Sequence, residues 1–315
     1  MSATRILVSE VGPRDGLQSI ASIMPTAAKK QWILAEAAAG VCEIEVGSFV
    51  PAKLLPQLAD TAEIVRYALT IPGLSVAALV PNLIGAKNAI DAGVSKMSLP
   101  LSVSETHSVA NLRRNHTEMI EEIRQIVALL AGIPSEGRPH FEVGLATAFG
   151  CSLEGRVPEK KVVELAVKAI ELGADEVGLS DTTGSANPAQ LQRLIGLVRK
   201  EIGDDRLTGV HLHNTRGLGI ANALAAIQVG ISTLDSSLGG IGGCPAAPGA
   251  SGNIVTEDLV FMLNSMGYDT GIDMVKLLAV RKIVAEALPN ETLFGFTPEA
   301  GLPKEHCGRS WGIQT

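Results

Sequence analysis

The segment 159–179, EKKVVELAVKAIELGADEVGL, contains one complete unit of the pattern that determines the fold. Its first part, Glu159–Leu172, has apolar residues at helical spacing, and a glycine follows where the helix would end. Its last part, Glu176–Leu179, has the composition of a short buried strand. The same order of helix, glycine and strand occurs at Gly40 and Gly93. This alternation is typical of a parallel sheet covered by helices.

Along the whole chain, eight strand-like segments can be counted. Eight such units favour an α/β fold of the closed (β/α)₈ TIM-barrel type, with a short C-terminal helical appendage, over an open doubly wound sheet. We expect the barrel to occupy residues 1–275, and a helix and tail in 276–315 to pack on the barrel or on a partner subunit. The predicted strands are Ile6–Gly12, Val41–Val46, Leu74–Val80, Lys96–Leu101, His140–Ala146, Glu176–Leu179, Leu207–His213 and Thr233–Ser236. The predicted helices are Ala27–Ala39, Asp60–Leu69, Leu83–Ala92, Thr117–Ala131, Glu159–Leu172, Pro188–Ile202, Gly219–Val229, Thr256–Ser265 and Met274–Leu288.

The composition argues against several classes of protein. The chain has 315 residues and a formal net charge of -7, whereas a nucleic-acid-binding face needs a basic surface. Its apolar runs are shorter than the ~20 residues that span a bilayer, and its first residues lack a secretory signal. The four cysteines are widely spaced and form no C-x-x-C pair. We therefore expect a cytoplasmic protein with reduced thiols that binds neither nucleic acid nor membrane.

Two short motifs point to a metal site. His211 and His213 lie two residues apart on a predicted strand, so their side chains share one face. Arg14 and Asp15 follow directly on the first predicted strand. If both strands belong to one parallel barrel, these side chains meet at its carboxyl end, where barrel enzymes build their sites. The motif His211-Leu212-His213 taken alone is equally compatible with two half-buried core histidines.

The segment 238–253 is an unusual loop. It contains six glycines and two prolines and follows the eighth predicted strand. A loop of this length inside a compact domain is usually functional. Its glycines do not match the G-x-G-x-x-G pattern of dinucleotide-binding folds, so we exclude that interpretation.

These motifs together resemble the 3-hydroxy-3-methylglutaryl-CoA (HMG-CoA) lyase family. That family lies within the metal-dependent lyases and synthases that carry an Arg-Asp motif on the first strand of a TIM barrel. The resemblance covers about residues 8–275, and the glycine-rich loop is its most specific element. The matching stretches are Val11–Gln18 (VGPRDGLQ), Glu45–Val50 (EVGSFV), His211–His213 (HLH), Gly242–Pro245 (GGCP), Gly249–Asn253 (GASGN) and Thr256–Val260 (TEDLV).

The resemblance implies a divalent cation, Mg²⁺ or Mn²⁺, held by Asp15, His211, His213 and Asn253. One carboxylate, two imidazoles and an amide oxygen leave room for substrate oxygens in an octahedral shell. These ligand types also permit zinc.

The resemblance further implies four catalytic residues. Arg14 would stabilise an enolate oxygen, and Cys244 would be the acid/base that carries a proton to the enolate carbon. Glu45 would orient Arg14 or the water network, and Asp181 would act as a second base or orient its neighbours. Each residue also has a structural interpretation. These are a salt bridge for Arg14, a small buried residue for Cys244, and a cap or ion pair for the two acids.

The chain departs from the family pattern after its histidines. The family usually continues with Asp-Thr-Tyr-Gly, whereas this chain has Asn214-Thr215-Arg216-Gly217. Arg216 adds a cation that can bind an extra carboxylate or a CoA phosphate, or that is a solvated loop residue. Thr147–Cys151 departs as well. The candidate substrate-binding residues are therefore Arg216 together with Gln18 and Ser48 from the matching motifs.

The predicted reaction is retro-Claisen cleavage of (S)-HMG-CoA to acetyl-CoA and acetoacetate. The alternatives are a lyase for a related 3-hydroxyacyl-CoA, such as a citramalyl-like or branched thioester, and a synthase that condenses acetyl-CoA with a 2-oxo acid. A catalytically silent barrel that binds metal or acyl-CoA is a third interpretation. The resemblance also implies a homo-oligomer (a dimer or higher) and a place in leucine degradation and ketone-body formation.

Overall fold

The computed structural model describes residues 3–242 and 252–304. Within these ranges eight parallel strands pair in chain order, and the eighth pairs with the first to close a barrel. The predicted (β/α)₈ TIM barrel is therefore confirmed. The strands are β1 (Leu7–Glu10), β2 (Glu43–Ser48), β3 (Ser75–Leu79), β4 (Lys96–Ser102), β5 (His140–Ala146), β6 (Glu176–Asp181), β7 (Gly209–Leu212) and β8 (Thr233–Ser236).

Helices cover the outside of the barrel and connect its strands. All nine predicted helices are present, with bounds that differ from the prediction by one residue at most. Two further helices, α4 and α11, were not predicted. The helices are α1 (Thr26–Ala39), α2 (Thr61–Ala68), α3 (Leu83–Ala92), α4 (Glu105–Leu112), α5 (His116–Leu130), α6 (Glu159–Leu172), α7 (Pro188–Ile202), α8 (Gly219–Gln228), α9 (Thr256–Ser265), α10 (Met274–Ala287) and α11 (Phe296–Ala300).

The missed helix α4 lies at the carboxyl end of the barrel, after β4. Ser104 caps it by accepting a hydrogen bond from the backbone N–H of His107 at 3.1 Å. Ser108 is its only buried residue, so the helix lacks the apolar stripe by which amphipathic helices are recognised. Tertiary contacts at the barrel end therefore decide this element, and the pattern of the sequence does not.

The ends of several helices follow from local chemistry. Gly40, Gly93 and Gly173 end their helices with φ of 105°, 89° and 105°, which is the left-handed region that glycine reaches without strain. Asn187 caps α7 by accepting from Gln190 N. Asp60 precedes α2, but its side chain makes no capping bond. Instead, its carboxylate accepts hydrogen bonds from the side chains of Thr26 and Lys29 in α1.

Strand β5 shows how the barrel wall separates two environments. Phe141, Val143 and Leu145 are fully buried beneath the helices. The alternate residues, which include Glu142 and Gly144, face the barrel interior, because side-chain direction alternates along a strand. The interior therefore contains small and charged residues, and the apolar core lies between the strands and the helices.

Four charged residues form a cluster in the amino-terminal half of the interior. We call this set, which consists of Glu43, Lys96, Glu142 and Glu176, the amino-end cluster. Lys96 Nζ lies 2.6 Å from a carboxylate oxygen of Glu142 and 3.8 Å from one of Glu43. Glu176 accepts hydrogen bonds from Thr208 N at 3.1 Å and pairs with His140 at 3.2 Å. The charge of Glu176 also acts on Lys96. The chain thus supplies its own cation to these carboxylates.

The C-terminal helix α10 packs against α1, and Asp273 caps it by accepting from Val275 N and Lys276 N. The proposed division at residues 275 and 276 stays a prediction. No helix within the described ranges is long and apolar enough to cross a membrane.

Candidate metal centre and active site

The loop after β1 forms a single π-helical turn, Gly12–Gly16. The carbonyl oxygen of Val11 accepts from the backbone N–H of Arg14 at 3.1 Å and of Asp15 at 2.7 Å. The turn places Arg14 and Asp15 at the carboxyl end of the barrel, where each is only 9% exposed. The predicted strand was expected to reach Gly12, but it ends at Glu10, because the chain turns there to bring these side chains inward.

Asp15, His211 and His213 converge, as the sequence predicted. One ligand atom from each lies within 4.8 Å of the others. The two Nε2 atoms are 3.0 Å apart, and each lies 3.8 Å from Asp15 Oδ2. His213 lies one residue beyond β7 and forms an isolated bridge with Asn253. The site therefore joins the ends of β1 and β7 with the chain that leads into α9.

The donors of this cluster fit a divalent cation. Because the two Nε2 atoms lie at hydrogen-bonding distance, one of them carries a proton when no ion is bound, and an ion would replace that proton. Asn253 Nδ2 donates to Asp15 Oδ2 at 2.8 Å, and Asn253 Oδ1 is buried with no hydrogen-bond partner among the described residues. That free amide oxygen is a suitable fourth donor for Mg²⁺ or Mn²⁺.

Asp235, on β8, contacts this cluster, and the sequence analysis did not single it out. Its carboxylate lies 3.0 Å from Nδ1 of His211, which leaves Nε2 of that ring for an ion. His211 and Asp235 are register partners in the pairing of β7 with β8. A charged residue on a short buried strand was the available signal, but only strand pairing identifies its partner.

Local charges move the pKa values of the cluster in different directions. Burial alone would raise the pKa of Asp15, but Arg14 and the two histidines hold it well below its usual range. Burial would lower the pKa of His211, and its bond to Asp235 raises it overall. Burial and the neighbouring His211 lower the pKa of His213 to about 4. Asp15 is therefore an anion and His213 is neutral at neutral pH, as metal ligands must be.

Arg14 and Glu45 form a buried ion pair beside the cluster. Arg14 Nε and Nη2 both lie 2.5 Å from Glu45 Oε2, and Nη1 donates to Asp15. Glu45 Oε1 accepts from Ser98 Oγ at 2.7 Å. The hydrogen bonds from Nε and Nη1 use two of the five N–H groups of Arg14, so the guanidinium can still meet a substrate oxygen. Glu45 thus orients Arg14, and Ser98, which the sequence analysis also missed, orients Glu45.

Asp181 ends β6 at the same end of the barrel. Its carboxylate accepts from the backbone N–H groups of Ser185 and Ala186, at 2.7 and 3.1 Å. Burial raises the pKa of Asp181 to about 6, although these bonds and Arg216 oppose the rise. Arg216 itself is exposed, and its Nη1 donates to the carbonyl oxygens of Thr183 and Gly184.

Gln18 and Ser48 also lie at the carboxyl end of the barrel. Gln18 Nε2 donates to Asp15 Oδ1 at 2.8 Å. Ser48 is 1% exposed and lies at the end of β2, where it borders a cleft of about 380 Å³ that Phe49 and Asn82 also line. Cys244 lies outside the described residues.

Comparison with known proteins is consistent with this site. An HMGL-like family model matches residues 5–284. The mitochondrial hydroxymethylglutaryl-CoA lyase of Gallus gallus is 38% identical over 290 residues, which cover 91% of this chain and 95% of that protein. The HMG-CoA lyase structure from Bacillus subtilis superposes with a TM-score of 0.89 at 34% identity, covering 95% of this chain and 99% of that one.

An HMG-CoA lyase from Acinetobacter baumannii, solved in complex with coenzyme A and 3-methylmalate, superposes with a TM-score of 0.88 at 39% identity. The match covers 96% of this chain and 97% of that one. The family match includes all eight strands of the barrel and the candidate ligands Asp15, His211, His213 and Asn253. The chain therefore belongs to the HMGL-like family and is a carbon–carbon lyase.

Proposed function

We propose that this chain catalyses the metal-dependent retro-Claisen cleavage of (S)-HMG-CoA to acetyl-CoA and acetoacetate. The convergence of Asp15, His211 and His213 beside Arg14 carries the proposal. A carboxylate, two imidazoles and a neighbouring guanidinium suit a reaction in which an alkoxide and then an enolate develop. The similar lyases named above support the same reaction.

We assign the divalent cation to Asp15, His211, His213 and Asn253, and we propose Mg²⁺ or Mn²⁺. When bound, the cation polarises oxygen atoms of the substrate as a Lewis acid. Asp235 and Gln18 contact two of the four ligands and would hold them in orientation.

The chain's own residues would move the protons. Asp181 takes the proton of the tertiary hydroxyl group, and its pKa of about 6 suits a base that works near neutral pH. The bond between C2 and C3 then breaks, so that C3 becomes the ketone of acetoacetate and the electron pair forms the thioester enolate. Arg14, held by Glu45, stabilises the enolate oxygen. The enolate carbon gains one proton to give acetyl-CoA, and we assign that proton to Cys244.

Substrate binding is assigned to Gln18, Ser48 and Arg216. Ser48 borders the cleft at the end of β2, and Gln18 lies against Asp15. Arg216 is anchored by Nη1 alone in the hydrogen bonds described, so its remaining donors suit a carboxylate or phosphate. This cation is the specific observation that favours the second candidate, a lyase for a related 3-hydroxyacyl-CoA with an additional or displaced carboxylate.

A synthase that condenses acetyl-CoA with a 2-oxo acid is the third candidate. It would use the same cation and the same Arg14. It differs in consuming acetyl-CoA and releasing free CoA thiol, and a catalytically silent barrel would do neither while still binding metal. We further propose a homo-oligomer in the cytoplasm that acts in leucine degradation and ketone-body formation. The names of its relatives include both cytoplasmic and mitochondrial lyases.

The test is acetyl-CoA formation from racemic HMG-CoA with Mg²⁺, with Mn²⁺ and with EDTA. We expect turnover with either metal and none with EDTA. Arg14→Gln should lower kcat by roughly 10²–10³-fold, the range for a lost oxyanion donor. Arg193→Gln is the matched control, because Arg193 forms an exposed ion pair with Glu159 on the outer helices and should not affect turnover.

Each other outcome identifies an alternative. An enzyme that binds Mn²⁺ but does not cleave HMG-CoA should be assayed with citramalyl-CoA and branched 3-hydroxyacyl-CoA thioesters. Release of CoA thiol from acetyl-CoA with a 2-oxo acid would replace the lyase by the synthase. Metal binding with neither reaction would identify a silent barrel.

A further inference from the structure

Arg281, on the C-terminal helix α10, contacts the chain that follows the carboxyl end of the barrel. Arg281 Nη1 donates to Glu257 Oε1 at 2.5 Å and to the carbonyl oxygen of Phe294 at 2.9 Å. Glu257 lies in the first turn of α9 and is fully buried, whereas the side chain of Arg281 is 17% exposed. Burial raises the pKa of Glu257, and Arg281 opposes that rise. Arg281 thus favours the charged form of a carboxylate inside the protein.

Glu257 in turn holds the chain that follows β8. The backbone N–H of Gly239 donates to both oxygens of Glu257, at 2.9 and 3.2 Å. The carbonyl oxygen of Gly239 accepts from Phe294 N at 2.7 Å. Gly239 has a φ of 64°, and a Cβ atom there would lie 3.1 Å from the side chain of Leu293. Both backbone polar groups of Gly239 are therefore bonded to residues that follow it in the chain, Glu257 and Phe294.

The segment 238–242 packs directly against the turn that carries the metal ligand. A Cβ atom on Gly242 would lie 2.9 Å from Gly16 Cα and 3.3 Å from the carbonyl oxygen of Asp15. A Cβ atom on Gly16 would lie 3.1 Å from the carbonyl oxygen of Ile241. The segment and the turn are therefore in close contact, and a shift of the segment would disturb the packing of the turn.

A second buried carboxylate joins the same two pieces of chain. Glu10 Oε1 accepts from Gly12 N at 2.8 Å and from Leu238 N at 2.9 Å. Its Oε2 accepts from Thr256 Oγ1 at 2.7 Å. Neutral donors hold Glu10, whereas Glu257 contacts a cation. The link through Glu257 is therefore the one that depends on an ion pair with α10.

We propose that Arg281 is a positioning residue for the lyase reaction. It keeps Glu257 available as an acceptor for Gly239 N–H, and so it fixes the segment 238–242 against the turn that presents Arg14 and Asp15. Without the guanidinium, Glu257 would be a buried carboxylate without a cation, and its protonation would convert one oxygen into a donor. This inference rests on the proposed function only for its catalytic readout.

Arg281→Met tests the proposal, with two independent readouts. Outer partners of a metal site typically contribute 10–100-fold to affinity or activity, so we expect kcat to fall by roughly 10-fold. The Kd for Mn²⁺, measured from the electron paramagnetic resonance signal of the free ion, should rise by a similar factor. KM for HMG-CoA should change little. Arg193→Met, which breaks an exposed ion pair on the outer helices, is the matched control.

The double variant Arg281→Met/Glu257→Gln separates positioning from simple packing. A glutamine amide oxygen accepts from Gly239 N–H and carries no charge that needs a cation. We therefore expect the double variant to recover most of the wild-type kcat and Mn²⁺ affinity. If Arg281 matters only by packing or by its bond to Phe294, the double variant will be as impaired as the single one.

Two results would overturn the proposal: a single variant with wild-type kcat and Mn²⁺ affinity, or a double variant without recovery. If Arg281→Met does not fold, the double variant decides the question, since it no longer carries the buried charge of Glu257. If the wild-type protein fails to cleave HMG-CoA, the proposed function fails, and Mn²⁺ affinity still tests the role of Arg281.

Discussion

The two ends of strand β6 place acids in opposite electrostatic environments. Glu176 begins the strand in the amino-end cluster, where burial opposes its charge but His140, Lys96 and Thr208 lower its pKa to about 2. Asp181 ends the same strand near the proposed active site, where burial raises its pKa to about 6. One strand of six residues therefore carries a permanent anion at its first position and, at its last, a group that can exchange a proton near neutral pH.

The difference distinguishes structural charges from functional ones in this barrel. At the amino end, Lys96 of the chain itself pairs with Glu142 and Glu43. At the carboxyl end, the Nε2 atoms of His211 and His213 point to a common place that an external cation would fill. We infer that the amino-end cluster stabilises the fold and the carboxyl end performs the chemistry, as is general for barrels of this type. Three predictions test this division.

The largest expected effect is that of His211→Ala on activity. Loss of an imidazole ligand should abolish Mn²⁺ binding and lower kcat/KM by ~10³-fold or more, because Lewis-acid stabilisation is worth several kcal/mol. The measurement is acetyl-CoA formation together with Mn²⁺ titration. His140→Ala is the matched control, since His140 also pairs with a carboxylate, Glu176, but at the opposite end of the barrel. Retention of Mn²⁺ affinity by His211→Ala would contradict the assignment of this ligand.

Lys96→Met should have the opposite profile, with lower stability and retained activity. Removing one partner of a buried ion pair leaves uncompensated carboxylates, here Glu142 and Glu43, and costs about 3 kcal/mol of the free energy of unfolding. Urea unfolding measures that loss, and kcat of the folded fraction should stay near wild type. Lys161→Met, which breaks an exposed pair with Glu164, should change stability by less than about 1 kcal/mol. A large drop in kcat for Lys96→Met would show that the amino end takes part in the chemistry.

The smallest effect is the pH dependence of stability, measured by urea unfolding in EDTA. The pKa of Asp181 is raised from its ordinary value of 3.8 to about 6. Its contribution to stability is therefore full below pH 4 and is lost as the pH rises to 6. The free energy of unfolding of the wild type relative to Asp181→Asn should fall by about 1–3 kcal/mol between pH 4 and pH 7.

Glu176→Gln provides the control with the opposite sign. The pKa of Glu176 is lowered from 4.5 to about 2, so its contribution is full above pH 4.5 and is lost as the pH falls toward 2. The free energy of unfolding of the wild type relative to Glu176→Gln should therefore decrease as the pH falls from 4.5 toward 2. If the free energy of unfolding of the wild type relative to each variant changed with pH in the same direction for both, the two ends of β6 would not differ electrostatically.

Much of the barrel could be predicted because its signals are local. Strand β5 and helices α3, α6 and α7 have the predicted bounds, since apolar period and terminal glycines act over a few residues. The Arg14-Asp15 and His211–His213 motifs indicated one metal site, because all strands of a parallel barrel end on the same side. Cys244 stays a prediction from resemblance.

The sequence by itself determined the order of the eight strands and of nine helices, the closed barrel and three metal-ligand candidates that converge. Only the tertiary structure decided which partners tune those groups. Asp235 meets His211 through the pairing of β7 with β8, and Arg281 reaches Glu257 from a separate helix. The physical reason is range: periodicity and turn chemistry act between neighbours in the chain. Burial and charge pairing depend on residues that are distant in sequence and become adjacent only when the barrel closes.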